Sequence, residues 1–267
     1  MYIFTPVAHL LKSIEEMCRR IERIALGRRS VGVILFGIIL VALGADFLRL
    51  MAERTLSRDS IVYIQQAQEL VDKRISLPDI GLEHPQLLIV ILACAAQTGI
   101  SIAYTGIAIN VLSQVLIILL IYRMARLLFF DRFYALTACF LFAITPNIIN
   151  VVTDVLREPI YLLFVVLSLY YYCRFFRRKA FWDVFYCGLY SSLASLSRWE
   201  GIELLFIYIF LLICYSPFPP QKKVLESILL FTITYSIVLS CFFIFFEYSF
   251  DQLIDITRIA LNYFAKV

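Results

Sequence analysis

The sequence predicts an all-α protein, a polytopic transmembrane helical bundle of about seven spans whose long first outer loop contains surface and re-entrant helices. Three observations carry this: a composition too apolar for water, apolar runs of membrane length, and an uneven distribution of charge between the loops. Hydrophobic residues make up 62% of the 267 and charged residues only 16%, against about 25% charged in soluble domains. A mean hydropathy of +0.86 agrees, and a soluble fold is excluded. Nothing in the chain points to nucleic acid.

The uncharged or nearly uncharged runs are Val31–Ala45, Tyr104–Tyr122, Phe133–Thr153, Pro159–Cys173, Val184–Ser197, Leu204–Pro220 and Ser227–Phe246. A helix needs roughly 20 residues to cross a hydrocarbon core, and the shorter runs have flanking Arg or Asp that can snorkel. Residues 1–30 precede the first run. There His9–Arg29 reads as a cytoplasmic amphipathic helix, with Leu10, Leu11, Ile14, Met17, Ile21 and Ile24 on one side and basic residues on the other, suited to anionic membrane lipids. Its mixed charge and the long apolar run after it argue against a cleavable signal. The seven Cys show no C-x-x-C spacing and read as packing residues, not as zinc ligands or a disulfide framework.

The first outer loop covers about residues 49–103. Within it, Asp59–Val71 has a helical stripe of Ile61, Ile64, Ala67, Leu70 and Val71, which suits a helix lying on the membrane surface. Pro78 and Gly81 end that pattern before His84-Pro85 opens an uncharged stretch running to Tyr122. The stretch is too long for one ordinary span, and Thr98–Gly106 offers a break. Pro85–Gly99 has the length of a re-entrant segment, and the positive-inside rule separates this reading from two full spans. With a cytoplasmic N-terminus and a re-entrant first half, fifteen of the 24 basic residues fall inside; with two full spans only ten do. The inner set then includes Arg123, Arg126, Arg132, Arg174, Arg177, Arg178 and Lys179, while fourteen of the 20 acids fall outside. Acids have little influence on insertion, so the outer face is the expected working face. After the seventh run, residues 250–267 read as an outer-face amphipathic segment.

Three acid-and-arginine clusters share that face. The first is Arg58-Asp59, with Tyr63 one turn on, followed by Asp79, Glu83 and His84. A membrane-surface acid beside Arg can take a nucleophile's proton while Arg binds phosphate. The same residues equally suit a solvated helix with a local ion pair. The second is Asp154, Arg157 and Glu158, three or four residues apart, so a helix starting there places all three on one side. Asp154 reads as an N-cap, and two neighbouring carboxylates are also a candidate site for a divalent metal ion. The third is Arg198-Trp199-Glu200-Gly201, where snorkelling or lipid-phosphate pairing both fit. Asn110 and Gln114, four residues apart in the second run, read as helix–helix hydrogen-bonding residues. No H-E-x-x-H, G-x-S-x-G or Cys–His arrangement supports a hydrolase.

These elements together resemble the polytopic GT-C glycosyltransferases, in particular the protein mannosyltransferase-like and aminoarabinose-transferase-like branch. The resemblance rests on Arg58-Asp59 followed by Tyr63 and Ala67, on His84-Pro85, on the basic Tyr122–Arg126 end of the second span, on Pro146, on Asp154 and Glu158, and on Arg198–Gly201. It implies a GT-C-like module over residues 31–249 that moves sugar from a polyprenyl-phosphate-linked donor to a glycan, lipid or protein acceptor. On this resemblance Asp59 is the catalytic acid; Arg58, Tyr63, His84, Arg157, Arg198 and Glu200 bind substrate; and Asp154 with Glu158 orients the acceptor or holds a metal. The implied location is a bacterial plasma membrane with the active face periplasmic. Two positions depart from the pattern: Ser60 where the family often has Glu, and Gln86 where it often has a second Pro. An inactive or truncated relative serving as a lipid-binding or partner-stabilising subunit is the alternative. A transporter ranks below both, because the charges sit at span ends and not at mid-membrane.

Overall fold

The computed structural model describes residues 28–52, 56–72, 86–97, 99–129, 131–215 and 221–245. The amphipathic helix expected before residue 28, His84, and the segment 250–267 lie outside them. Among the described residues all regular structure is helical. The helices are α1 (Arg28–Ala52), α2 (Arg58–Val71), α3 (Gln86–Ala96), α4 (Ile102–Phe129), α5 (Arg132–Ala143), α6 (Pro146–Val152), α7 (Glu158–Arg178), α8 (Phe181–Ser197), a 3₁₀ turn (Trp199–Ile202), α9 (Glu203–Tyr215) and α10 (Gln221–Phe245).

Every apolar run of the sequence falls on a helix. Four helices are long and apolar enough to cross a membrane: residues Ser30–Ala52, Ile102–Phe129, Glu158–Arg178 and Lys223–Ile244. The run Phe133–Thr153, expected to be one span, is divided into α5 and α6, bent by 58°. Pro146 explains the break. It occupies the first turn of α6, where its missing N–H is harmless, whereas inside a continuous helix it would remove a hydrogen bond. Counting that pair as one span gives five. Helices α8 and α9 have 17 and 13 described residues, against roughly 20 for a typical crossing.

The packing has the inverted character of a protein solvated by lipid. Large apolar side chains such as Phe36, Phe47, Phe210 and Ile244 face outward, while Ser168, Ser191, Ser192, Ser227 and Thr234 are buried between helices. Small residues let helix backbones approach where lipid gives no hydrophobic drive for association. At Gly188 the approach is so close that a Cβ would lie 2.9 Å from the Phe231 carbonyl oxygen, which presses α8 against α10. The hydroxyl pairs Ser168–Tyr208 and Ser195–Tyr235, each 2.7 Å, satisfy the polar groups these contacts bury.

α7 and α8 form a hairpin, α8 packs on α10, and α4 packs on α5 and α7. One end of this bundle collects α2, α3, the α6–α7 junction and the 3₁₀ turn. A cluster of Tyr63, Ala67, Leu88, Ile89, Leu92, Val155, Leu196 and Phe243 joins them. α3 rises only about 16 Å at 1.5 Å per residue, roughly half a hydrocarbon core. The chain then turns through Gly99, at φ 80°, a left-handed conformation that glycine adopts without penalty.

Candidate functional site

α2 starts at a well-formed cap. Ser57 is its N-cap residue, with the Ser60 N–H donating to Ser57 Oγ, which satisfies a donor that a helix start leaves open. Asp59 follows in the first turn, where the helix dipole favours a carboxylate. Arg58 and Asp59 are exposed and Tyr63 is buried. The inward face of α2 carries Ser60, Tyr63 and Ala67, with Ile64, Leu70 and Val71 of the expected stripe packed against the same cluster, while Ile61 is 55% exposed. The reason lies ninety residues away, at Asp154.

Asp154 does not cap α7; Arg157 occupies that position and makes no side-chain cap bond. The Asp154 carboxylate instead accepts from the Ser57 N–H at 3.1 Å, from the Ser60 hydroxyl, and from the Val155 N–H at 2.9 Å. The Val155 N–H also lies 3.1 Å from Ser60 Oγ, which can in turn donate to the Val155 carbonyl. From α4, the Asn110 amide donates to the carbonyls of Asp154 and Leu156, at 2.6 and 3.1 Å. Gly106, one turn before Asn110, leaves room for Val155; a Cβ there would overlap both Val155 methyls. Asn110 thus binds a loop, not a neighbouring helix side chain as its spacing with Gln114 suggested. Ser57, Ser60, Asn110 and Gly106 were not among the expected site residues, although a Ser ahead of a helical pattern is a recognisable cap signal.

Docking α2 on this junction brings most of the expected residues together. The Tyr63 phenol is held above its usual pKa by burial, opposed by Arg157, raised further by Asp59 and Glu158, and opposed again by Arg198. Four charged candidates from three separate segments thus act on one hydroxyl. Arg198 Nη1 lies 3.2 Å from Glu158 Oε1 and its Nε 2.9 Å from Glu200 Oε1. Its guanidinium carbon stands 5.9 Å from the centre of the Tyr161 ring, within cation–π range. Burial works against the Arg198 charge, but Glu200 and Glu158 outweigh it and hold the guanidinium above its usual pKa. Arg157 Nε is 3.9 Å from Glu158 Oε1, while Glu158 Oε2 is buried without a hydrogen-bond partner among the described residues.

The corner that presents Arg198 depends on Gly201. A Cβ there would lie 2.6 Å from backbone atoms of Ala194 and Ser195, so only glycine lets the 3₁₀ turn fold back on the end of α8. Asp154 and Glu158, considered together as metal ligands, have different partners: Asp154 accepts from Ser57, Ser60 and Val155, and Glu158 pairs with Arg157 and Arg198. Among the described residues no three His, Cys, Asp or Glu side chains gather. A cavity of about 490 Å³ among α1, α4 and α7, lined by Leu35, Leu116, Leu120, Arg123 and Leu163, contains none of the charged residues described above.

The site therefore offers two arginines, a carboxylate at a helix start and a buried phenol at one end of a membrane-type bundle, a set fitted to a phosphate and a hydroxyl. A search of curated proteins finds no match. The family model described as dolichyl-phosphate-mannose-protein mannosyltransferase matches residues 84–256, which takes in Asp154, Arg157, Glu158, Arg198 and Glu200 and begins beyond Asp59. That match spans well over half the chain, and the chain belongs to this family of GT-C-type membrane glycosyltransferases.

Proposed function

We propose that the chain transfers a sugar from a polyprenyl-phosphate donor to a hydroxyl acceptor at the membrane face bearing α2, with inversion at the anomeric carbon. The observation that carries this is that α2, which bears Asp59, docks through Ser57 and Ser60 on Asp154, one turn before the ion-pair group of Arg157, Glu158, Arg198 and Glu200. An acceptor oxygen attacks the anomeric carbon, the bond from that carbon to the phosphate oxygen breaks, and the electron pair leaves with the polyprenyl phosphate. Asp59 takes the acceptor's proton. Arg198, steadied by Glu158 and Glu200, holds the phosphate with Arg157 or Arg58, because charge-assisted contacts that strengthen as the leaving group gains charge lower the barrier. No step is routed through a metal. The acceptor class, whether glycan, lipid or protein, is left to experiment.

The face is proposed to be non-cytoplasmic, in a plasma membrane. What supports this is the helix order, in which Arg123, Arg126, Arg132, Arg174, Arg177, Arg178, Lys179 and Lys223 fall at helix ends away from α2. Basic loops favour the cytoplasmic side.

The test is transfer from a radiolabelled polyprenyl-phosphate sugar pool by the purified chain in lipid. Asp59→Asn should reduce transfer by about 10²–10⁴-fold, the range for positioned acid–base groups. Unchanged transfer in Asp59→Asn removes Asp59 as the base. Saturable binding of polyprenyl phosphate with no turnover in the unaltered chain would replace the transferase reading by the lipid-binding one.

A further inference from the structure

Asp46 ends the first apolar run in the sequence, but α1 continues past it to Ala52. The carboxyl therefore lies within a membrane-crossing helix, about 9 Å from its end at 1.5 Å per residue. It is 2% exposed, and Gln114 on α4 is fully buried. Gln114 is its hydrogen-bonding neighbour, yet neither Asp46 oxygen nor either polar atom of Gln114 completes a hydrogen bond of good geometry to any described residue. Four orphaned polar atoms facing one another in a buried setting require an explanation. An ionisable residue inside a membrane is costly unless it is neutralised.

We propose that Asp46 is a membrane-embedded proton-binding site, carried as the neutral acid and paired face to face with the Gln114 amide, and that this pair clasps α1 to α4. The donor count selects this state. A carboxylate only accepts, so it can use the Gln114 NH₂ and leaves Gln114 Oε1 unsatisfied. A carboxylic acid donates its O–H to Gln114 Oε1 and accepts from Gln114 Nε2 on its other oxygen, which satisfies all four atoms. A sodium ion would bind Asp46 and Gln114 Oε1 but leave Gln114 Nε2 without an acceptor. No compensating cation comes from the helices packed on α1. The charged residues of α4 and α5 are Arg123, Arg126 and Arg132, nine or more residues beyond Gln114 or on the far turn. α6, which also packs on α1, has no charged residue, and Arg49, one turn on from Asp46 along α1, donates no hydrogen bond to either Asp46 oxygen. The site is independent of the transfer reaction and of the bundle's orientation.

Infrared spectroscopy of the full chain in lipid at neutral pH tests this. A protonated-carboxyl C=O band is expected, absent in Asp46→Asn and shifted in Gln114→Leu, which removes its hydrogen-bond partner. Because Asn is the uncharged isostere of the acid and can form the same two bonds, Asp46→Asn should melt with the unaltered protein. A carboxylate band for Asp46 at neutral pH overturns the proposal. So does thermal stabilisation by sodium that Asp46→Asn abolishes. Should Asp46→Asn fail to fold, the Gln114→Leu shift in an otherwise unaltered acid decides the matter.

Discussion

The α7–α8 hairpin carries an arginine–acid pair at each end, and the two are built differently. At the turn between the helices, Arg174 Nη2 and Nε lie 2.6 and 2.7 Å from one oxygen of Asp183, which is fully buried. The guanidinium carbon also stands 4.8 Å from the centre of the Tyr171 ring, and that ring packs with Tyr186 and Tyr190. At the open end, Arg198 is shared between Glu158 and Glu200, and the three side chains are 29%, 36% and 31% exposed. The two arginine side chains are similarly exposed, at 25% and 29%, but their acids are not: one meets a fully buried carboxylate and the other is shared between two part-exposed ones. Residue type does not separate a structural pair from a binding pair. How far each charge is already satisfied, and whether water or ligand can reach it, does.

The largest effect should come from breaking the closed pair. Arg174→Leu leaves Asp183 charged and buried without a partner, which costs about 3–5 kcal/mol. The thermal midpoint should fall steeply, while molecules that remain folded keep their donor affinity. A near-normal midpoint would show that the two pairs are not different in kind. Breaking the open pair should do the reverse. Arg198→Leu should lower transfer by about 10²–10³-fold, the loss seen when a charge-stabilising group is removed. Its effect on the midpoint should be small, because partly exposed pairs contribute roughly 0–1 kcal/mol. Arg198→Lys keeps the charge but loses the planar fork, and should weaken donor binding with a midpoint equal to that of the unaltered chain.

A smaller effect is expected at the Asp154 knot, which stands between these extremes because it is structural in its bonds and functional in what it positions. Asp154→Ala removes an acceptor from Ser57 and Ser60 and should cost about 1–3 kcal/mol. Its diagnostic is a fall in kcat for transfer with donor KM little changed, since Asp59 loses its placement while Arg198 keeps its own. Asp154→Asn retains an acceptor oxygen and should recover part of that loss. Equal loss in both variants would mean that the carboxylate itself contacts substrate.

These contrasts also mark how much the sequence could convey. The apolar runs were legible because lipid imposes length and composition on each helix locally. The 58° bend at α5–α6 was not, since hydropathy carries no direction and Pro146 marks a helix start as well as a kink. The grouping of Arg198 with Glu158 spans 40 residues, so the sequence could place both at one membrane face without joining them. The inward turn of Ser60 was not legible for the same reason: it meets Asp154, and no pattern within α2 records a partner 94 residues away. The burial of Asp46 was not legible either, because a charge ordinarily ends an apolar run, and the first run stops at Ala45.

The finest test concerns Tyr63, the residue on which the open end converges. Burial and the neighbouring Asp59 and Glu158 hold its phenol above the usual pKa, against the pull of Arg157 and Arg198. A group whose pKa is raised on folding contributes stability that is fully present below its unfolded value, about 10 for tyrosine, and is lost as the pH climbs toward the folded value. The unaltered protein should therefore lose stability above about pH 10 relative to Tyr63→Phe, by at most roughly 1.4 kcal/mol per pH unit. Every other tyrosine titrates in both proteins, so the difference between their melting curves isolates this one. Curves that stay parallel from neutral pH to beyond pH 10 would mean that Tyr63 is no more shielded in the folded chain than in the unfolded one. In that case α2 would not be docked on the α6–α7 junction, and Asp59 would stand apart from the arginines it is proposed to work with.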